Sequence, residues 1–258
     1  MYRHQRKKTM EILYTILFML GWMILGYLCG SIPNGVLIGR MHGINIRDYG
    51  SHNTGGTNVG RTLGKKAGIM TMILDGLKCF LPMLFTLLFL VYSPIKTYLI
   101  EYKYLNELTV SLVAFFVFIG HTFPLFNHFQ GGKCVASFGG YIFFISPILF
   151  VFGGGLFFIL FKLYKRISVC SIISVPSVLL ASFVPMILDL TILSDINTFN
   201  GGMYYHPDFM LHLSYISVIT IFLSAALIII RHKSNINRIK KGAEPETHFS
   251  NTIDPKEE

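Results

Sequence analysis

The sequence predicts an all-α protein, folded as a polytopic bundle of transmembrane helices. Of its 258 residues, 52% are hydrophobic and only 14% are charged, and the mean hydropathy is +0.56. In soluble domains about a quarter of the residues are charged, so this composition indicates a lipid environment. Long stretches without Asp, Glu, Lys or Arg decide the point, because a helix of about 20 apolar residues spans the hydrocarbon layer of a bilayer.

Six stretches of the chain are long and apolar enough to be spans. Five contain no Asp, Glu, Lys or Arg and cover residues 12–39, 108–132, 134–161, 167–188 and 209–230. The sixth, residues 67–95, is interrupted only by Asp75 and Lys78. Ionisable residues inside a span are costly unless they are paired, so we expect a structural ion pair between these two near the cytoplasmic end. A cleaved signal peptide would account for the first stretch alone.

The number of spans depends on residues 134–161, which form one long tilted helix or two shorter ones. Ser146-Pro147 and three successive glycines from Gly153 interrupt the stretch, but proline and glycine are tolerated within spans. The distribution of Lys and Arg is more informative, because cytoplasmic loops carry an excess of basic residues. With seven spans, the most basic loops and the C-terminal tail share one side of the membrane.

The N-terminal leader decides between six and seven spans. With Arg3, Arg6, Lys7 and Lys8 counted, both arrangements leave six basic residues outside the cell. If translation starts at Met10, seven spans leave two external basic residues and six spans still leave six. We therefore predict seven spans with short interfacial cytoplasmic segments, the N-terminus outside and the C-terminus in the cytoplasm.

We expect one integral membrane domain over residues 1–258. Residues 1–10 form the leader, which is not native if translation starts at Met10, and residues 245–258 form a polar C-terminal tail. The net charge of +9 is spread over short loops beside the membrane, so no nucleic-acid partner is expected. The cysteines lie in or beside apolar segments without a CxxC pair, and we interpret them as packing thiols: Cys29, Cys79, Cys134 and Cys170.

Residues 30–68 form a long polar segment that is chemically suited to bind phosphate. It offers hydroxyl and amide side chains and glycines that let backbone N–H groups approach an anion. Its cations are Arg40, Arg47, Arg61, Lys65 and Lys66. An ordinary interfacial loop is also rich in Gly and Asn. A connection of this length is unusual beside the short loops elsewhere in the chain. We therefore favour a functional segment over an ordinary interfacial loop by about three to one.

Three further segments carry polar groups near span ends. The turn Gly131-Gly132-Lys133 precedes an apolar helix, so its amides, the helix dipole and the ammonium group can hold a phosphoryl group. Such a turn alone is a weak signal. Hydroxyls such as Ser168 and Ser171 often only cap a helix. His232 and Asn235 share one helical face and can contact a substrate, although a basic stretch that binds lipid headgroups also explains their surroundings.

The four segments contain five characteristic stretches: GSIPNGVLIGR at 30–40, GSHNTGGTNVGRTLGKKAG at 50–68, GHTFPLFNHFQGGKCVAS at 120–137, RISVCSI at 166–172 and RHKSNINRIKKGAE at 231–244. These stretches resemble the signatures of the PlsY family, the bacterial acyl-phosphate:glycerol-3-phosphate acyltransferases. The similarity extends from about residue 26 to residue 244. The departures from the family pattern are His52 and Cys134 for Gly, Gly56 for Ala, Gln130 for Lys and Ser234 for Glu.

The resemblance implies roles for residues in all four segments. The catalytic residues that it indicates are Ser31, Arg40, Lys133, Ser168, His232 and Asn235. The residues that it places around substrate phosphate are Asn53, Thr57, Asn58, Gly131, Gly132, Ser171, His121 and Glu244. A lone His near a span end is more often a hydrogen-bonded interfacial residue, so His121 is a minor candidate. Neither a metal site nor a cofactor is expected.

The activity that the resemblance implies is transfer of a fatty acyl group from acyl phosphate to the sn-1 hydroxyl of glycerol 3-phosphate. The products are lysophosphatidic acid and phosphate, and the reaction is the first acylation of phospholipid synthesis. The expected partners are these two substrates, membrane lipid and, through a functional link, the soluble enzyme that makes acyl phosphate. The expected location is the bacterial cell membrane, with the active site on the cytoplasmic face.

Two other classes of protein share the features that the residues show. A transporter for a phosphorylated metabolite also uses basic residues and interrupted helices, but the sequence shows no internal repeat. An enzyme that acts on polyprenyl phosphates needs the same anion site and usually acidic metal ligands. Asp and Glu are sparse in the predicted cytoplasmic loops.

Overall fold

The computed structural model describes residues 2–101, 105–191 and 213–249, and within these ranges the chain is helical without a β-strand. The all-α prediction is confirmed. The helices in chain order are α1 (Tyr2–Gly30), α2 (Asn34–Met41), α3 (Gly56–Leu63), α4 (Lys65–Tyr92), α5 (Leu105–Thr122), α6 (Val135–Ile145), α7 (Pro147–Tyr164), α8 (Ile167–Thr191), α9 (Tyr215–Arg231) and α10 (Lys233–Lys240). Short 3-10 turns lie at Ile46–Asp48, Pro94–Tyr98 and Leu125–Asn127.

The lengths of the helices support a protein with several spans. In the described ranges five helices are long and apolar enough to cross a membrane, or six if α9 and α10, bent by 57°, form one span. Helix α6 has 11 residues and is about 16 Å long, shorter than the ~30 Å hydrocarbon layer. The prediction of several spans is confirmed, whereas the count of seven is not and stays a prediction.

The first predicted span, residues 12–39, is not one continuous helix. Helix α1 begins at Tyr2, so the N-terminal leader is part of it, and it ends at Gly30. Three residues ending in Pro33 separate it from α2. Proline has no N–H and disfavours a helical conformation in the residue before it, which explains the break.

Two helices occupy residues 134–161, the stretch that the sequence left open. The break falls at Ser146, whose extended backbone follows α6 and whose hydroxyl accepts a hydrogen bond from Leu149 N at 3.4 Å. Pro147 follows at the start of α7, where a missing N–H is not needed. The three glycines from Gly153 lie within α7 and do not interrupt it.

Helices α4 and α5 pack against each other at the centre of the bundle. Helices α1 and α9 lie on α5, α6 lies on α4, and α7 packs on α8. Small residues let α1 approach α5 closely. A Cβ added at Gly26 would lie 2.5 Å from Val113 O, and one at Gly30 would lie 2.2 Å from Val117 O. This is the packing by which membrane helices gain van der Waals contact without a hydrophobic driving force.

One end of the bundle gathers the predicted polar segments. Thr247 N donates to Lys165 O at 2.7 Å, which joins the chain after α10 to the end of α7. Arg231 Nε donates to Gly132 O at 3.3 Å, which joins the end of α9 to the turn before α6. A separate apolar cluster packs α2, α3 and the loop between them on the start of α4. We call the end of the bundle that holds these segments the polar end. Its position on the cytoplasmic side stays a prediction.

Candidate active site

A cavity of about 1330 Å³ lies at the polar end of the bundle. Each of the four predicted polar segments contributes to its wall. The predicted site residues that line it are Asn53, Thr57, Asn58, His121, Lys133, Ser168, Ser171, His232, Asn235 and Glu244. The fold therefore brings together side chains that are far apart in the sequence.

The cavity continues between apolar side chains of α4, α6 and α7. Phe80, Phe143, Phe150 and Phe157 line this part, which we call the apolar arm. The rings of Phe143 and Phe150 meet edge to face with their centroids 5.2 Å apart. A cavity with one polar and one apolar part matches a ligand that has a charged head and a hydrocarbon tail.

Lys133 provides a cation in the cavity wall. It lies just before α6, and the first N–H groups of a helix have no partner within that helix. Among the described residues its ammonium has no hydrogen bond and no ion pair within 4.0 Å. Burial lowers the pKa of Lys133 to about 8; Glu244 opposes this shift, and neighbouring arginines add to it. The ammonium and the start of α6 together suit a phosphate group.

The glycine turn before Lys133 is packed against the end of α5. Gly132 N donates to His121 O at 3.1 Å, and Arg231 donates to Gly131 O at 3.2 Å and to Gly132 O. A Cβ added at Gly132 would lie 2.3 Å from His121 Nε2. The two glycines do not line the cavity. Their small size lets the turn lie on His121, and the amide of Gly132 is already used within the protein.

Glu244 organises the side of the cavity formed by α8 and α10. Its Oε1 accepts hydrogen bonds from Ser168 Oγ at 2.6 Å and from Asn235 Nδ2 at 2.7 Å. Its Oε2 accepts one from Arg238 Nε at 2.8 Å. Burial alone would raise the pKa of Glu244, but these hydrogen bonds outweigh burial and lower it. An ionised carboxylate repels phosphate, so this geometry favours a positioning role for Glu244.

His232 and Asn235 present hydrogen-bond acceptors at the same wall. His232 Nδ1 lies 2.8 Å from Ile228 O, and donation to this carbonyl leaves Nε2 as an acceptor in the neutral ring. Asn235 uses its Nδ2 for Glu244, and its Oδ1 is buried without a hydrogen-bond partner among the described residues. Two acceptors on neighbouring side chains suit a ligand that carries hydroxyl donors.

Asn58 and Asn53 shape the loop between α2 and α3. Asn58 Nδ2 donates to Ile46 O at 3.1 Å and to Tyr49 O at 3.0 Å, while its Oδ1 accepts from Ser51 N at 2.8 Å. Asn53 Oδ1 accepts from Gly55 N at 2.8 Å. Both residues line the cavity. These hydrogen bonds, however, already use the side-chain amide groups that we expected to contact substrate phosphate. In this structure Asn58 holds the loop together.

Asp75 lines the cavity and joins four elements of the fold. Its Oδ1 accepts from Asn34 Nδ2 at 3.0 Å and lies 3.1 Å from Lys78 Nζ. His121 Nδ1 is 3.8 Å from the same oxygen, and Ser137 Oγ donates to Asp75 O at 2.8 Å. The predicted ion pair with Lys78 is confirmed. Within the described ranges no group of three His, Cys, Asp or Glu residues could hold a metal ion.

Comparison with known proteins identifies the family. The family model described as glycerol-3-phosphate acyltransferase matches residues 20–242. The chain belongs to this family. Among its curated relatives, the glycerol-3-phosphate acyltransferases of Staphylococcus aureus strains Newman and COL are 34% identical over 226 residues, which cover 86% of this chain and 95% of theirs.

Two crystal structures of PlsY, an integral membrane glycerol 3-phosphate acyltransferase, are similar in fold. The glycerol 3-phosphate form has a TM-score of 0.68 at 29% identity, covering 89% of this chain and 96% of that protein. The lysophosphatidic acid form has a TM-score of 0.66 at 29% identity, covering 88% and 94%. The resemblance to the PlsY family that the sequence indicated is confirmed.

Three departures from the family pattern occupy positions with local constraints. His52 and Cys134, which replace glycine, have φ values of 54° and 65°. This left-handed region favours glycine, so both residues hold a backbone conformation that is sterically strained for a residue with a Cβ. Gly56, which replaces alanine, leaves no room for a Cβ, because one added there would lie 2.7 Å from Gly68 O. The contact between α3 and α4 is correspondingly close.

Ser31 and Arg40, the predicted polar pair, do not line the cavity. Ser31 is fully buried and its Oγ donates to Tyr27 O at 2.8 Å. Arg40 is exposed in the last turn of α2. Their catalytic roles therefore stay predictions that rest on the resemblance.

The structure also adds residues to the candidate site. Arg61, which the sequence offered as one of the cations of residues 30–68, lines the cavity. Two parts of the chain that the sequence did not single out line it as well, Arg238 and residues 245–248 of the predicted tail. Arg238 follows Asn235 by three positions, so helical spacing was a signal for it. Residues 245–248 carry no periodic pattern, and only the fold reveals their position.

Proposed function

We propose that this protein transfers a fatty acyl group from acyl phosphate to the sn-1 hydroxyl of glycerol 3-phosphate, giving lysophosphatidic acid and phosphate. The observation that carries the proposal is one cavity in which a cationic wall continues into a phenylalanine-lined arm. Both substrates carry phosphate, and the acyl donor and the product also carry a hydrocarbon chain. Membership of the glycerol-3-phosphate acyltransferase family supports the proposal.

Lys133 and the start of α6 bind the phosphate of the acyl donor in this proposal, while the donor's chain lies in the apolar arm. A charge-assisted hydrogen bond is about twice as strong as a neutral one, and a partly buried site screens it less than water does. Gly131 and Gly132 allow the turn to lie against His121. Ser171 and Thr57 line the same cavity and add hydroxyl groups to it.

His232 and Asn235 position glycerol 3-phosphate. The acceptor atoms His232 Nε2 and Asn235 Oδ1 suit the two hydroxyl groups of its glycerol. Glu244 holds Ser168, Asn235 and Arg238 through its three hydrogen bonds. These contacts fix side-chain orientations before the substrate arrives, which reduces the entropy lost on binding.

The reaction is a direct transfer. The sn-1 hydroxyl oxygen attacks the acyl carbonyl carbon and forms the ester bond, while the bond from that carbon to the phosphate oxygen breaks. The departing phosphate takes the proton of the hydroxyl. Acyl phosphate is already activated, so the protein needs no covalent acyl intermediate and contributes orientation and charge stabilisation. Ser31 and Arg40 keep the catalytic roles that the family resemblance implies, although neither side chain lines the cavity.

We also propose that the polar end faces the cytoplasm of a bacterial cell. Its basic residues on α2, α3, α4, α7, α9 and α10 follow the positive-inside rule. On this side the cavity meets water-soluble glycerol 3-phosphate, and the enzyme that makes acyl phosphate can supply the donor through a functional link.

The deciding experiment uses detergent-purified protein, acyl phosphate and labelled glycerol 3-phosphate, without added metal or coenzyme A. Formation of labelled lysophosphatidic acid supports the proposal. Phosphate release without acylated product, or counterflow of glycerol 3-phosphate after reconstitution, supports a rival class instead. Positional analysis of the product tests the sn-1 assignment, because acylation at the second hydroxyl would contradict it.

Lys133→Ala tests the phosphate site within the same assay. The variant should lose transfer by at least about a hundredfold, in line with removal of a charged group that stabilises a transition state. Lys162→Ala is the matched control, since Lys162 lies near the end of α7 and does not line the cavity. Both proteins should elute and unfold like the wild type. Full activity of Lys133→Ala would exclude this residue from the site.

A further inference from the structure

Residues 245–249 form a segment that we call the C-terminal strap. The family model ends at residue 242, so the strap lies beyond the matched region. Its anchor is Glu244, held by Ser168, Asn235 and Arg238. From there the chain continues beyond α10, without helix or strand, to contacts with α8 and α3.

Thr247 is the central contact of the strap. It is buried, with 6% of its surface exposed. Its backbone N–H donates to Lys165 O at 2.7 Å, and its Oγ1 accepts hydrogen bonds from Ile167 N at 3.3 Å and from Arg61 Nη2 at 3.2 Å. One threonine therefore joins the end of α7, the start of α8 and the last turn of α3.

Phe249 fastens the far end of the strap on α3. A Cβ added at Gly60 would lie 2.6 Å from two atoms of the Phe249 ring. The ring thus lies directly on the backbone of Gly60, next to Arg61. Contacts at both ends of a segment of five residues leave it few alternative conformations.

The strap and Arg61 form one wall of the cavity. Residues 245–248 and Arg61 all line it. Arg61 Nη2 also donates to Glu246 O at 3.4 Å, so two strap residues hold its guanidinium. A guanidinium carries donors on three nitrogens and binds phosphate in a fixed geometry, so its orientation decides whether a phosphate in the cavity meets it productively.

We infer that Thr247 is a positioning residue, which orients Arg61 toward the phosphate of glycerol 3-phosphate and makes the strap part of the substrate site. This inference rests on the proposed function. An arginine on a surface helix samples many rotamers, and the hydroxyl of Thr247 removes most of that freedom before the substrate binds. The strap thus contributes to substrate binding, whereas the bond-making steps occur at Lys133, His232 and Asn235.

Thr247→Val tests the inference because it removes the hydroxyl and keeps the shape and the backbone N–H. We expect the KM for glycerol 3-phosphate to rise about tenfold while kcat stays within about twofold, the split that marks loss of ground-state binding. Thr247→Ser should restore the wild-type KM. Thr97→Val is the matched control, because Thr97 is exposed and lies in the turn after α4. An unchanged KM, or a loss confined to kcat, would overturn the inference.

A double-mutant cycle separates positioning from a general effect on the fold. Arg61→Gln should raise the same KM, and Thr247→Val should add less than about twofold in that background, because its effect acts through Arg61. Independent, multiplicative effects would show that Thr247 does not act through Arg61.

The strap can also be examined without catalysis. In wild-type protein, inorganic phosphate should slow hydrogen exchange in residues 245–249, and Thr247→Val should abolish this effect. If the wild type forms no lysophosphatidic acid but shows this protection, the proposed function is wrong and the strap contact stands. An active wild type without protection and with an unchanged KM in Thr247→Val shows that the strap inference alone is wrong.

Discussion

Lys133 should set the alkaline limit of activity. Its pKa of about 8 means that the ammonium, which we propose binds the phosphate of the acyl donor, loses its proton as the pH rises through 8. We expect kcat/KM for acyl phosphate to fall about tenfold per pH unit above that value. The second pKa of a substrate phosphate group is about 6, so its own ionisation is already complete there.

Lys133→Arg provides the control for this pH profile. Arginine stays protonated to above about pH 12, so the variant should lose the decline near pH 8 whatever its absolute rate. Unfolding does not mimic the effect. The unfolded chain holds this proton up to about pH 10.4, so between 8 and 10.4 Lys133 makes folding more favourable as the pH rises. A decline that persists in Lys133→Arg would assign the limit to another group.

Cys134 shows how a backbone requirement can be hidden by a side chain. Its φ of 65° costs a residue with a Cβ about 1 to 2 kcal/mol relative to glycine. We expect Cys134→Gly to be more stable than Cys134→Ala by about 1 kcal/mol, although glycine fills less of the buried space. Both variants lose the thiol contact with Thr122 Oγ1 at 3.1 Å, so the comparison isolates the backbone. Thermal unfolding in detergent measures the difference.

Cys170 supplies the matched pair for this comparison. It lies inside α8, where alanine is favoured over glycine by about 1 kcal/mol. Cys170→Ala should therefore be more stable than Cys170→Gly, the reverse of the order at Cys134. The same order at both positions would contradict the left-handed conformation of Cys134.

At the scale of helices, Asp75 and Lys78 hold α2, α4 and α6 in register. Lys78 donates to Ile32 O at 2.9 Å as well as pairing with Asp75. Lys78→Met leaves a buried carboxylate without its cation, and we expect a loss of about 3 to 5 kcal/mol in the free energy of unfolding. Adding Asp75→Asn should recover part of that loss, because the uncompensated charge is removed.

Lys66→Met is the control for the ion pair. Lys66 is exposed in the first turn of α4, and its replacement should change stability by less than about 0.5 kcal/mol. Chemical denaturation in mixed micelles gives the free energies of unfolding of Lys78→Met, Asp75→Asn, the double variant and Lys66→Met. If the double variant is less stable than the summed losses of Lys78→Met and Asp75→Asn predict, the pair does not act as described.

The helix pattern shows which parts of the fold the sequence can predict. The long stretches without charged residues predicted where the apolar helices lie, and Ser146-Pro147 marked the break between α6 and α7. The same reasoning missed the break before Pro33, although proline was the available signal, because an apolar run says nothing about local backbone shape. The extension of α1 to Tyr2 was also missed. The basic leader is less hydropathic than the apolar stretch that follows it, but its residues favour a helix equally well.

The site was predictable where its residues occur in family signatures. Lys133, His232 and Asn235 lie together as the resemblance implied, whereas Ser31 and Arg40 lie outside the cavity. The strap was not predictable, because Thr247 meets Arg61 and Lys165 through contacts that depend on the packing of α3, α7 and α8. No local pattern encodes contacts between residues so distant in sequence.

At the scale of the whole molecule, the route of the chain relates the two termini. Helix α1 ends at the polar end, so its N-terminus lies at the opposite end. Helix α9 ends at the polar end, where Arg231 meets the turn before α6. Helices α6 and α7 form a pair that leaves the polar end at Lys133 and returns to it at Lys165. The prediction of seven spans counts this pair as two passes, although α6 is shorter than the hydrocarbon layer.

The termini should therefore lie on opposite sides of the membrane, with the C-terminus in the cytoplasm. An epitope tag on the N-terminus should be accessible in intact spheroplasts, and a tag on the C-terminus only after permeabilisation. Starting the chain at Met10 removes four basic residues from the outer side and should strengthen this orientation. Termini on the same side would exclude seven spans, and they would contradict the route of the chain, in which the pair of α6 and α7 begins and ends at the polar end.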